Sequence, residues 1–158
     1  MKHETFFSKS LVTTALPTAA LQAASNYWMT QAAANSRQWY IIIDMYGGKN
    51  AYISNQPANE SSFAHRDKLF LYEFYDRVSF GSYPVGGESF LNNWVKSFTD
   101  NLKDDQWGMY INYADPTLSK ADAQKFYWRN SLPRLQKIKA QVDPTELFYY
   151  PQSITPAK

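Results

Sequence analysis

Between residues 17 and 34 apolar positions recur at helical spacing: Leu21, Ala24, Tyr27, Trp28 and Ala32 follow an opening at Pro17 or Thr18. Trp39-Tyr40-Ile41-Ile42-Ile43 is instead a continuous apolar, β-branched run, the pattern of a strand buried on both faces. It ends at Asp44, and Gly47-Gly48 then permit a sharp turn. Residues 51–54 predict a returning strand, 55–67 a loop, and 69–75 (Leu69-Phe70-Leu71-Tyr72-Glu73-Phe74-Tyr75) a second strong strand. After a Gly/Ser/Pro loop at 80–87, residues 88–102 carry the clearest amphipathic stripe: Phe90, Leu91, Trp94, Val95, Phe98 and Leu102. Residues 107–113 predict a third strand and 119–128 a short helix. Ser131 is placed to N-cap a last helix, with Pro133 in its first turn and Leu132, Leu135 and Ile138 on its apolar face. Asp143-Pro144 stops it, and the tail is aromatic, Phe148-Tyr149-Tyr150. Strands and helices that alternate in this way give an α+β or α/β pattern. Three apolar strands with amphipathic helices between them predict a short antiparallel sheet, the helices at 17–34 and 88–102 lying on one face.

Composition narrows the function classes. The chain has 158 residues, of which 17% are aromatic and 19% charged, against about 25% charged in ordinary domains. That is too aromatic for a disordered chain. A net charge of +2 gives no electrostatic case for nucleic acid or an anionic membrane, and no apolar run approaches the roughly 20 residues of a membrane-spanning helix. With no Cys, disulfides, thiol nucleophiles and Cys-ligated metals are excluded, and two His residues leave little for a His-rich metal site; the metal expectation is none. Residues 1–10 lack the apolar stretch of a signal peptide, and Asn59-Glu60-Ser61 is a lone glycosylation sequon.

The residues alone carry thin chemistry. Asp44 closes an apolar strand before a Gly-Gly turn and reads either as a turn-forming Asp or as a carboxylate at the mouth of a site. Tyr110 and Tyr113, three apart on a strand, would point to opposite faces. Glu73 interrupts an apolar strand, and His65-Arg66-Asp67 reads as a solvated loop. No nucleotide-binding glycine loop, zinc-protease or serine-hydrolase motif occurs.

Several ordered stretches do carry a resemblance: Phe7-Ser8-Lys9-Ser10-Leu11, Asp44 to Asn50, His65 to Leu69, Phe74-Tyr75-Asp76-Arg77, Trp107 to Pro116, Arg134 to Lys139, and Asp143 through Gln152. Together they resemble the FAD-linked oxidases with a berberine-bridge-type C-terminal region, and within them the fungal glucooligosaccharide (carbohydrate) oxidases. The resemblance implies that residues 1–105 are the second half of a substrate-binding domain, an antiparallel sheet covered by helices. It implies that residues 106–158 are a terminal helical segment that packs on a FAD domain. That FAD domain, which holds its cofactor through a His and a Cys, has no counterpart here. The implied reaction oxidises a sugar's anomeric C1 hydroxyl to a lactone, with a hydride passing to flavin and O2 going to hydrogen peroxide, in a secreted enzyme. A different class, a truncated or degenerate paralogue acting as a noncatalytic binding or structural module, is the alternative.

Carried over by motif, Tyr113 matches the tyrosine that takes the hydroxyl proton, Asp44 its acidic partner, and Tyr110 a site-lining aromatic. Ile42 and Glu73 stand at sugar-contacting positions where the family pattern has Gln. On the flavin side the resemblance sets Asn112, Tyr127 and Ser131. In the Tyr127-Trp128-Arg129-Asn130-Ser131 stretch, Arg129 replaces a Gly and Ser131 an Asn.

Overall fold

A computed structural model describes residues 3–158. Its core is a four-stranded antiparallel sheet in the order β2-β3-β1-β4, formed by β1 (Thr5–Thr13), β2 (Gln38–Met45), β3 (Phe70–Val78) and β4 (Trp107–Gly108). Helices α1 (Thr18–Tyr27) and α2 (Gly87–Thr99) lie over one face. The register sets Leu11 opposite Tyr72, and Phe74 opposite Ile41, so alternate residues of three strands face the helices. Trp94 of α2 is fully buried at the centre of this layer, its ring 5.0–5.9 Å from those of Tyr27, Trp28, Trp39, Phe74 and Phe90. The high aromatic content is thereby spent largely on one core. The start of α2 needs glycine: a Cβ on Gly87 would stand 2.4 Å from Arg37 Nη2 and 2.5 Å from the Tyr83 ring. Both of those side chains donate to the buried Asp76 carboxylate, at 2.5 and 2.6 Å.

Residues after β4 form α3 (Lys120–Trp128) and α4 (Leu132–Val142). Ser119 caps α3, accepting from the Asp122 N–H at 3.1 Å. Ser131 stands at the start of α4, but its hydroxyl makes no cap bond. The segment is tied to the sheet through Asp115. Its carboxylate takes the Lys9 ammonium and the Thr117 N–H and hydroxyl, its N–H donates to the Tyr127 hydroxyl, and its carbonyl accepts from Gln152 Nε2 at 2.7 Å. Met109, Ala123 and Tyr127 belong to the same apolar cluster as the sheet.

Several expectations are corrected. β1, a central strand, is missed by the hydrophobic pattern because Ser8, Lys9 and Ser10 interrupt it; Lys9 pairs with Asp115 and Ser10 with the Tyr110 backbone. β2 is an edge strand with Ile42, Ile43 and Met45 exposed rather than a strand buried on both faces. Residues 51–54 form no strand; Ile53–Asn55 is a single 3-10 turn. The third strand stops at Gly108, because the Met109 N–H goes to the Phe126 carbonyl (3.1 Å) and the Tyr110 N–H to Ser10 Oγ (2.7 Å), leaving no ladder to continue. The helix begun at Thr18 ends at Tyr27 and gives way to a wider π turn through Ala32.

Candidate active site

The face of the sheet away from α1 and α2 holds the candidate chemistry. Register places Ile42 opposite Glu73 and Glu73 opposite Ser10, one row across three strands; Asp44, Leu71 and Val12 form the next row. Directly opposed residues have Cβ atoms about 5 Å apart, so Asp44, Ile42 and Glu73 share one small patch. Over its edge the chain leaves β4 and turns. Ser10 Oγ accepts from the Tyr110 N–H and donates to the Tyr110 carbonyl (3.0 Å), a two-point clamp on that backbone. Residues Ile111–Tyr113 then form a 3-10 turn closed by the Tyr113 N–H to the Tyr110 carbonyl at 3.1 Å.

That turn overturns the expectation that Tyr110 and Tyr113 face opposite ways. A 3-10 turn has three residues per turn and eclipses positions three apart. The two rings meet edge to face, 5.6 Å between centroids. Asn112 is exposed beside them and donates to the Tyr110 hydroxyl at 2.7 Å. The Tyr113 phenol is pushed above its usual pKa, first by burial, then by the charge and hydrogen bond of Glu73, and further by Asp44 and Tyr110. Both carboxylates therefore act on one phenol.

Five carried-over residues come together: Asp44, Ile42, Glu73, Tyr110 and Tyr113, with Asn112 at the rim. Two do not. Tyr127 is 2% exposed, its hydroxyl is engaged by the Asp115 N–H (2.9 Å), and burial raises its pKa to about 12. Ser131 lines a separate groove with Ser62, Arg134 and Leu135. Arg129, at a position where the resemblance has Gly, adopts φ 44°, a region that disfavours a side chain. Its guanidinium holds it there by donating to the Trp107 carbonyl (2.5 Å) and pairing with Asp104 (3.0 Å).

Residues missed by sequence reading complete the site. Ser10 was hidden in an unrecognised strand, although Phe7, Lys9 and Leu11 alternate with Ser8 and Ser10 at the strand period. Phe63 stands in the 55–67 loop, where nothing local marks it. With Val12, Tyr46, Leu71, Tyr110 and Trp128 it lines an apolar cavity of about 450 Å³ beside the phenols.

The family model "Berberine and berberine like" matches residues 109–155. A xylooligosaccharide oxidase of Thermothelomyces thermophilus is 56% identical across 98% of this chain, and a carbohydrate oxidase of Microdochium nivale 41% across 98%. The chain belongs to the berberine-bridge-like FAD-linked oxidases. It spans 32% of the length of each of these relatives. A solved xylooligosaccharide oxidase from Myceliophthora thermophila C1, in complex with xylobiose, superposes with a TM-score of 0.93, covering 98% of this chain and 33% of that one. A solved chitooligosaccharide oxidase at 33% identity superposes with a TM-score of 0.94. The mixed α+β fold, an antiparallel sheet covered by helices, is thus the one this family uses for the matching region.

Of the three residues carried over for the flavin side, Asn112 is exposed beside the paired phenols. Tyr127 is sealed in the interior, and Ser131 lies in another groove.

Proposed function

We propose that this chain supplies the sugar-side wall of a secreted, FAD-dependent oxidase that converts the anomeric C1 hydroxyl of an oligosaccharide to a lactone, O2 being reduced to hydrogen peroxide. The observation that carries this reading is the convergence of Tyr113, Glu73 and Asp44 on the open face of the sheet. In the bound state FAD supplies the acceptor for the C1 hydride and the route of electrons to O2. All other roles belong to residues of this chain. Tyr113 takes the C1 hydroxyl proton. Its raised pKa keeps it a neutral phenol at rest, so it acts by relay: it hands its own proton to a flanking carboxylate as it accepts the sugar's. Asp44 and Glu73 are the two acceptors at hand. Tyr110 offers a ring to the sugar's apolar face, Ile42 an aliphatic wall, and Asn112 a polar group at the flavin rim.

Residues 1–105 form the second half of the substrate domain in this reading. Residues 106–158 are the terminal segment that meets the FAD domain through α4 and the exposed Phe148, Tyr149 and Tyr150. The 158-residue chain by itself binds no stoichiometric flavin and oxidises no sugar, which an absorption spectrum of the purified chain checks. The deciding experiment is Tyr113→Phe in the flavin-loaded protein that carries this sequence. Turnover is expected to fall roughly 10²- to 10⁴-fold, with sugar affinity little changed. Unchanged turnover would remove Tyr113 from the chemistry.

A further inference from the structure

The loop between Asp44 and Glu73 is built against the tyrosine turn. Its neck is closed by Gly47, where a Cβ would stand 1.8 Å from the Lys68 carbonyl oxygen. Inside the neck the Tyr46 hydroxyl donates to the His65 carbonyl at 2.7 Å. Phe63 meets three rings edge-on, those of Tyr46 (6.0 Å), His65 (5.6 Å) and Tyr110 (6.1 Å). His65 itself is 1% exposed, and its ring lies where a side chain on Gly108 would be: a Cβ there would stand 2.2 Å from its Cε1 and 2.7 Å from its Nδ1. Gly108 is the last residue of β4, one step before the chain leaves the sheet for Met109 and Tyr110.

We infer that His65, with Phe63, is a positioning residue for Tyr113: its ring seats in the notch at Gly108 and fixes the angle at which the Tyr110–Tyr113 turn departs. The catalytic consequence rests on the role proposed for Tyr113; the positioning does not. Two supports then hold the turn, Ser10 from β1 and the Phe63–His65 pair from the loop. The site needs both, because Tyr110 and Tyr113 have no strand partners of their own past Gly108. The imidazole works as a ring rather than as a base. Burial, reinforced by the Lys68 and Arg129 charges and opposed by Asp67 and the Met109 backbone, lowers its pKa to about 4, and its Nε2 has no partner among the described residues. A neutral flat ring suits a contact with a bare Cα, where a charge would be stranded.

The test uses the flavin-loaded protein carrying this sequence, with selectively labelled tyrosines. In His65→Ala the ring-current-shifted resonances of Tyr110 and Tyr113 should relax toward ordinary values while those of Tyr72, in the covered core, stay. Turnover should fall roughly 10- to 100-fold with KM little altered, the mark of a misplaced reacting group. Gly108→Ala alone should do the same by pushing the ring out. Added to His65→Ala it should recover part of the loss, since the methyl fills the space vacated by the ring; that coupling of opposite sign is diagnostic of direct contact. If His65→Ala does not fold, Phe63→Leu, which removes the edge contact to Tyr110, carries the same measurement with a smaller shift expected. Tyrosine resonances that stay in place in the folded variant overturn the positioning role. Resonances that move without loss of turnover uphold the positioning role and refute Tyr113 as the base.

Discussion

The two faces of the sheet are made by the same strands and have almost nothing else in common. On β3, Tyr72, Phe74 and Asp76 point under the helices and are buried, whereas Leu71, Glu73 and Tyr75 point away and are partly open. The covered face is a mass of rings around Trp94, interlocked at centroid separations of 5.0–5.9 Å. The open face holds two carboxylates, a serine clamp and paired phenols. Strand alternation thus separates stability from chemistry by the parity of residue number. Substitutions on one parity should change the free energy of folding, and substitutions on the other should change what the site does.

Lys9, like Asp76, is a charge on the covered face. It is 5% exposed and joins Asn92 of α2 and Asp115 of the terminal segment. Lys9→Met strands the Asp115 carboxylate without its cation, and the expected loss is about 3–5 kcal/mol in a denaturant titration. Lys9→Met with Asp115→Leu should regain most of it, since replacing both partners removes the uncompensated charge. A Lys9→Met chain of unchanged stability would mean that the terminal segment is held by something other than this pair.

Next in size is the acid response of His65. Its folded pKa, about 4, lies below the unfolded value of about 6.5, so the unfolded chain takes up a proton that the folded one refuses. Stability from this source is therefore unaffected above about pH 6.5 and is lost as pH falls toward 4, by about 3 kcal/mol at most. His65→Phe should flatten the stability–pH slope in that window, measured as the difference from the parent chain at each pH. An unchanged slope would place the imidazole in water.

How far these features were legible in the sequence follows from how local each one is. The α2 stripe and the apolar run of β3 announce themselves, because burial there is dictated by residue type at one period. β1 did not, since Lys9 and Ser10 are paid for by Asp115 and Tyr110, more than a hundred and about a hundred residues away. The Tyr110–Tyr113 geometry failed for the same reason: the strand ends at Gly108 because the Phe126 carbonyl and Ser10 Oγ, neither of them local to the turn, take the next two N–H groups. The carried-over residues Asp44, Glu73 and Tyr113 could be named from motifs, but their meeting depends on a register that no single segment encodes.

Glu73→Gln tests the open face by charge alone, with the shape nearly kept. Glu73 is the foremost charged cause of the raised Tyr113 pKa, so the variant should titrate Tyr113 at lower pH, followed by phenolate absorbance. Folding stability should change little, because the residue is partly exposed and on the side away from the core. An unmoved Tyr113 titration would mean that burial and Asp44, and not Glu73, hold the phenol up.

The smallest effect asked for is also the most direct test of parity, because it uses neighbours of one kind on one strand. Ile41 opposes Phe74 and packs against the core beneath the helices; Ile42 opposes Glu73 and is 43% exposed on the open face. Ile41→Gln puts an amide into the aromatic layer and should cost about 1–3 kcal/mol of stability. Ile42→Gln exchanges an exposed aliphatic group for a solvated amide and should stay within about 0.5 kcal/mol. What it changes instead is the sugar side of the site. An amide both donates and accepts, so it can hydrogen-bond a hydroxyl that Ile42 only contacts, about 0.5–1.5 kcal/mol or a few-fold in KM. Equal destabilisation by the two variants would show that β2 is covered on both faces in the working protein, and the open face would then begin at β3.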